Sequence, residues 1–186
     1  MTNFATTLNK KNRLVSMLLD HAIMTFVIGL FTAPVMIYKM FHLPAVVTSM
    51  PESFFTYNAY EAFAFSLYFN KDIYLGQSIA KKILKFQILD TQTNLPANPI
   101  KCLIRNFTIL FWPVEVIAAL INPERRIGDY IAGTKLAVYE PGINPNPHWA
   151  LMVMAIPVGM FFTFAAWFYP LGLLFKFLLQ QKGVII

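Results

Sequence analysis

Residues 14–38 read LVSMLLDHAIMTFVIGLFTAPVMIY, an apolar stretch whose one charged residue is Asp20. As a helix it reaches about 37 Å, enough to cross the roughly 30 Å hydrocarbon layer of a bilayer. Three more apolar runs follow at 54–69, 102–121 and 149–179, each long enough or nearly so to cross. Composition agrees: 57% of the residues are hydrophobic and 13% charged, where an ordinary soluble domain carries about 25% charged residues. A soluble fold of 186 residues has too little interior to hide that much apolar surface. The pattern predicts an all-α polytopic membrane protein with about four transmembrane helices. The first run is too long for a signal-peptide core and lacks a small-residue cleavage site near Ala33, so it is expected to be retained as a helix.

Charge placement sets the orientation. The net charge is +6, with Lys10, Lys11 and Arg13 before the first run and Lys71, Lys81, Lys82, Lys85 and Lys101 between the second and third. The positive-inside tendency puts both segments in the cytoplasm and the connector around Lys39 and His42 outside. Membrane lipids with anionic headgroups, not nucleic acid, are the partners this charge predicts. Four crossings place residues 122–147 outside, which sets Arg125, Arg126 and Lys135 on the disfavoured side. The alternative is that 102–121 enters and returns, bending at Pro113, which leaves three crossings and a re-entrant segment.

The segment 76–99 is patterned differently. Over 77–86, Ile79, Ile83, Leu84 and Phe86 oppose Lys81, Lys82 and Lys85, which predicts an interfacial amphipathic helix with its lysines reaching headgroups. Short strands are expected at 86–89 and 134–138. If they pair, both connectors lie on one side of the membrane and the re-entrant reading is favoured.

A charge held in lipid demands a partner or a task. That makes Arg13, Asp20, Glu61, Arg105, Glu115, Arg126 and Asp129 the candidate functional residues. Arg13 and Asp20 share a helical face with α-carbons about 10.5 Å apart. Arg13 is expected to extend towards the phosphates. Asp20 is expected to lock against another helix, or to exchange a cation or proton. Arg105 and Glu115 would stand about 15 Å apart on a straight helix, so each needs a partner from elsewhere. In NPERRIGDYIAGT at 122–134, Asn122 is expected to cap a short helix with Pro123 in its first turn. Asp129 follows Arg126 by three residues and Arg125 by four, so both guanidinium groups are expected to lean on it. Cys102 is the single cysteine, which excludes an intramolecular disulfide. His42 and His148 are isolated, and Ser78 and Cys102 have no neighbouring base, so neither enzyme chemistry, a cofactor nor a metal spacing is read.

Three motifs in order resemble the RDD family of integral membrane proteins, over about residues 12–140. They are Arg13 with Asp20; GQSIAKKIL at 76–84 followed by QILD at 87–90; and RIGDYIAGT at 126–134. The resemblance maps the name-giving arginine and aspartates onto Arg13, Asp20 and Asp129. It departs mildly at Ala80 and Lys82, and at Gly128, where many members carry histidine. The implied organisation is an RDD-like membrane domain at 1–147, with helices at about 14–38, 54–75 and 102–121, an interfacial segment at 76–99 and a motif loop at 122–140. A further transmembrane helix at 148–180 and a tail at 181–186 follow. The resemblance also implies a multi-pass protein of the bacterial inner membrane.

Two functions follow as expectations. The first is a structural, assembly or lipid-interacting role, in which Arg13, Asp20, Arg126 and Asp129 clamp helix ends. The second, implied by the family, is cation or proton antiport through Asp20 with Glu61 or Glu115, tuned by Arg105. Antiport of a monovalent cation or proton would require a homo-oligomer, because four helices enclose too little. Gly29 with Ala33, and Ala155 with Gly159, offer small-residue contacts for close helix packing.

Overall fold

The computed structural model describes residues 8–48, 52–142, 146–165 and 177. The protein is mostly helical, at 68%, with one small sheet. Helix α1 (Lys10–Thr48) begins where Asn9 Oδ1 accepts from the Asn12 amide at 2.8 Å, which satisfies one of the first-turn donors that have no intrahelical partner. It runs ten residues past the expected end at Tyr38. The connector expected around Lys39 and His42 is therefore helical backbone, continuing through Pro44 with no glycine after Gly29 to stop it.

Helix α2 (Glu52–Phe69) stops short of the expected boundary at 75. Asn70 turns its side-chain amide back to the Ser66 carbonyl (2.9 Å) and across to the Ala155 carbonyl (3.2 Å). Residues 70–76 then form turns that end with Leu75 and Gly76 at positive φ. Gly76 is required there, since a Cβ would lie against the backbone of Ile88.

After the turns comes α3 (Ile79–Ile83), capped by Ser78 Oγ accepting from the Lys81 amide at 3.2 Å. Strand β1 (Phe86–Asp90) follows and pairs antiparallel with β2 (Thr134–Val138), with Ile88 opposite Leu136. Phe86, Ile88 and Leu136 are buried with Leu84, Ala97 and Cys102 in one apolar cluster. The expected strands thus form and pair.

Between the strands lie α4 (Pro99–Phe107), a 3₁₀ turn at Thr108–Phe111, α5 (Trp112–Ile121) and α6 (Ile127–Ala132). Asn98 caps α4 by accepting from the Lys101 amide at 2.9 Å, with Pro99 in the first turn. The third apolar run is broken at the 3₁₀ turn, and Pro113 fits the first turn of α5, where its missing N–H costs nothing. Both ends of this run are tied to one sheet. The Ala97 amide donates to the Ile88 carbonyl (2.9 Å), and the Leu136 amide donates to the Glu124 carbonyl (2.8 Å).

Helix α6 starts at Ile127, later than the cap expected at Asn122. Asn122 instead accepts from the Glu124 amide in a tight turn (3.0 Å). Helix α7 (Trp149–Thr163) packs on α2 and α4. Here Ala155 and Gly159 are used inside the chain: a Cβ on Gly159 would collide with the Asn70 amide. A Cβ on Gly29, by contrast, would meet no other part of the fold among the described residues. The rest of the expected 148–180 helix beyond Ala165, apart from Phe177, and the 181–186 tail lie outside the described residues.

Among the described residues, two helical segments, Lys10–Tyr38 and Pro99–Ile121, are long and apolar enough to cross a membrane, and Trp149–Thr163 is apolar but shorter. The exterior is oily: Phe26, Leu30 and Phe41 on α1, Ile117 and Ile121 on α5, and Val153 and Phe161 on α7 are all exposed.

Candidate functional site

The charged residues have gone inside. Arg13, Ser16 and Asp20 are buried on one face of α1, at the spacing of successive helical turns. Asp72 comes from the turn after α2, Lys81 from α3, Arg105 and Asn106 from α4, Glu115 from α5, Arg126 and Asp129 from the start of α6, and Thr134 from β2, all of them buried. These elements converge because each contributes a buried charged or polar group whose main partner lies on another element.

The pairs form an alternating chain of charge. Arg13 Nη2 donates to Asp129 Oδ2 at 3.2 Å, and Arg105 Nε donates to Asp129 Oδ1 at 2.7 Å. Arg105 Nη1 then reaches Asp72 Oδ2 at 3.1 Å, and Lys81 Nζ reaches Asp72 Oδ1 at 2.8 Å. Lys81 also donates to Asp20, which accepts from Ser78 Oγ as well, and Lys71 Nζ stands 3.8 Å from Asp20. Thr134 Oγ1 and the Arg126 amide complete the shell of Asp129 at 2.8 and 3.1 Å.

Arg126 joins a second arm. Its Nη2 donates to Asn106 Oδ1 (2.7 Å), and its Nε lies 3.4 Å from Glu115 Oε2. Glu115 Oε1 accepts from the Gly128 amide at 3.0 Å. Gly128 permits this approach: a Cβ there would fall on the Arg105 carbonyl oxygen and Thr108 Oγ1. A histidine at 128 would thus need α6 to sit farther from α4.

Several expectations change. Arg13 does not reach for phosphates; at 2% exposure it is committed to Asp129, because a full carboxylate partner in the interior outcompetes extension outward. Lys81, expected at the headgroups, is 3% exposed, whereas Lys82 and Lys85 are exposed as expected. Arg125 does not share Asp129; its guanidinium stacks 4.2 Å from the centre of the Tyr130 ring. Glu61 is half-buried on α2, about 12 Å along the axis from Phe69, and does not enter the chain of pairs. Arg105 and Glu115 do take partners from other elements. His21, on α1 beside Asp20, bonds through Nδ1 to the Tyr68 hydroxyl of α2 at 2.8 Å.

Sequence reasoning missed Lys71, Asp72, Ser78, Asn106 and Thr134. The polar triplet Asn70-Lys71-Asp72 directly after Phe69 carries a signal for the first two; Ser78, Asn106 and Thr134 carry none. Among the described residues, no three His, Cys, Asp or Glu side chains gather to hold a metal ion.

The electrostatics follow from the pairing. Burial alone would raise the Asp129 carboxyl, but Arg105, Arg126 and Arg13 outweigh it and hold the group well below the usual carboxylate range. Asp72 is depressed in the same way by Lys81, Arg105 and Lys71. The stability these two contribute is complete above the ordinary carboxylate pKa, and is lost as pH falls through their depressed folded values.

Lys71 shifts too: burial, with Lys81 assisting and Asp20 opposing, lowers it from 10.5 to about 8. In the window from about pH 8 to 10.5 the unfolded chain binds more protons at this site than the folded one, so stability rises with pH there. Lys71→Gln is expected to abolish that rise, read by thermal unfolding in detergent across the window. An equal rise in the variant would contradict this account of Lys71.

Compared with known protein families, with curated proteins and with solved structures, the chain matches none.

Proposed function

We propose that this is a multi-pass integral membrane protein of the RDD type, resident in the bacterial inner membrane, whose buried ion-pair chain clamps its helices together in a structural, assembly or lipid-interacting role. The observation that carries this reading is the inverted distribution of side chains. Arg13, Asp72, Arg105, Glu115 and Asp129 are each at most 2% exposed, while Phe26, Met40, Phe41 and Phe161 are each more than 65% exposed. Water would drive these two sets to change places, and lipid supports them where they are.

The antiport reading has less support in the geometry. Asp20 already holds Lys81 and Ser78, and Asp72 already holds Lys81, Arg105 and Asn106. A transported cation would have to displace a lysine from a saturated carboxylate.

For topology, the pairing of β1 with β2 favours three crossings, by α1, α2 and the α7 segment, with α4 and α5 forming a re-entrant bend. Ends tied to one sheet cannot stand on opposite faces of a layer about 30 Å thick. Single cysteines at Lys85 and Asn146 in a Cys102→Ser background, labelled from each side of sealed vesicles, are expected to react from the same side. Reaction from opposite sides would reject the re-entrant bend.

A further inference from the structure

Two cavities share a wall inside the bundle. The first is small, about 10 Å³, and is lined by Arg13, Lys71, Lys81, Arg105 and Arg126, with Asp20 as its carboxylate. The second is apolar, about 380 Å³, and is lined by Ile28, Phe65, Phe69 and Leu110, with His21 and Tyr68 at its polar edge. Ile109 and Trp112 line both. The larger volume lies in the range of small-molecule sites, about 300–1,000 Å³.

Charge is not balanced at this place. Among the described residues the buried network sets five cations, Arg13, Lys71, Lys81, Arg105 and Arg126, against four carboxylates, Asp20, Asp72, Glu115 and Asp129. The surplus is best placed on Lys71. Its ammonium is 3.8 Å from Asp20, beyond hydrogen-bond distance, and lies 4.6 Å from the centre of the Tyr68 ring, at the polar edge of the apolar cavity. Arg13, 2% exposed, also keeps its Nε without a hydrogen-bond partner. An unmet buried donor beside an uncompensated cation calls for an anion.

We propose that the paired cavities bind one long-chain carboxylate, with its alkyl chain in the apolar cavity and its head between Lys71 and Arg13. A single negative charge brings the network to neutrality. The polar space holds about one water molecule, so a carboxylate, the smaller anionic head, enters with less displacement of Lys71 and Arg13 than a phosphate. The site rests on the lipid-embedded reading above, since a bilayer is what supplies such an amphiphile.

Trp112 lines both cavities and reports occupancy. The full chain carrying Trp149→Phe and Trp167→Phe, in detergent, is titrated with a fatty acid brominated in mid-chain, with its methyl ester, and with a lysophospholipid bearing the same brominated chain. The acid is expected to quench Trp112 at roughly tenfold lower concentration than either other compound. Lys71→Gln is expected to erase the preference for acid over ester, and Ile28→Phe, which narrows the apolar cavity and leaves the charges intact, to weaken quenching by the acid. Ester or lysophospholipid as effective as the acid, or no quenching by any of them, would overturn the proposal. Those failures leave the membrane reading standing; that reading fails separately, if the protein stays dispersed without detergent.

Discussion

Arg105→Met is expected to be the most damaging single substitution, lowering unfolding free energy by about 3–5 kcal/mol. Arg105 is the link between the two halves of the network, donating to Asp129 at 2.7 Å and to Asp72 at 3.1 Å. Methionine keeps much of the volume and removes the charge, so two fully buried carboxylates lose their shared cation at once. The damage comes from what is left behind more than from the bond itself, because an unpaired buried charge costs several kcal/mol while a neutral replacement of a whole ion pair is often tolerated. Arg105→Met combined with Asp72→Asn, which removes one carboxylate with its cation and leaves Lys81 paired to Asp20, is therefore expected to be more stable than Arg105→Met alone. Denaturant unfolding in detergent measures both. A double variant less stable than the single one would show that the Arg105–Asp72 pair adds stability outright.

Asp129→Asn is expected to cost nearly as much, again about 3–5 kcal/mol. Asp129 accepts from Arg13, Arg105, Thr134 and the Arg126 amide. Asparagine keeps the shape, but its amide nitrogen must face one of these donors, and three arginines lose their common counter-charge. Asn122→Ala on the same motif loop is the control. Asn122 makes exposed turn contacts with Glu124 and Tyr130, so its loss is expected to cost only about 1 kcal/mol. Equal melting transitions for the two variants would reject a special role for Asp129.

Where local pattern decides structure, the residues were readable. The apolar run at 14–38 is helix, the short segments at 86–89 and 134–138 are strand, and Arg105 and Glu115 were placed too far apart on one helix to satisfy each other. Where partners lie far apart in the chain, spacing carried no information. Lys81 looks like a headgroup lysine because its neighbours alternate as on an amphipathic helix. Its burial is set by Asp20, 61 residues away, and by Asp72. Arg13 looks like an anchoring arginine at a helix entrance, and its commitment to Asp129 spans 116 residues.

Boundaries failed for a related reason. The implied organisation carries the second helix to 75, but Lys71 and Asp72 are drawn inward by charges on other elements, and the helix gives way after Phe69 to the turns that place them. The third run, expected either to cross as one helix or to bend at Pro113, breaks just before that proline, at Thr108–Phe111. Its break is imposed by the sheet that ties its two ends together, and by Arg126 and Gly128 closing on Arg105 and Glu115.

The measurement closest to the central claim is the coupling energy between Arg13 and Asp129, from unfolding of Arg13→Met, Asp129→Asn and the double variant. A buried pair that clamps α1 to α6 is expected to give a coupling above about 1.5 kcal/mol. Strictly additive effects, with the double variant losing the sum of the two single losses, would contradict the clamp.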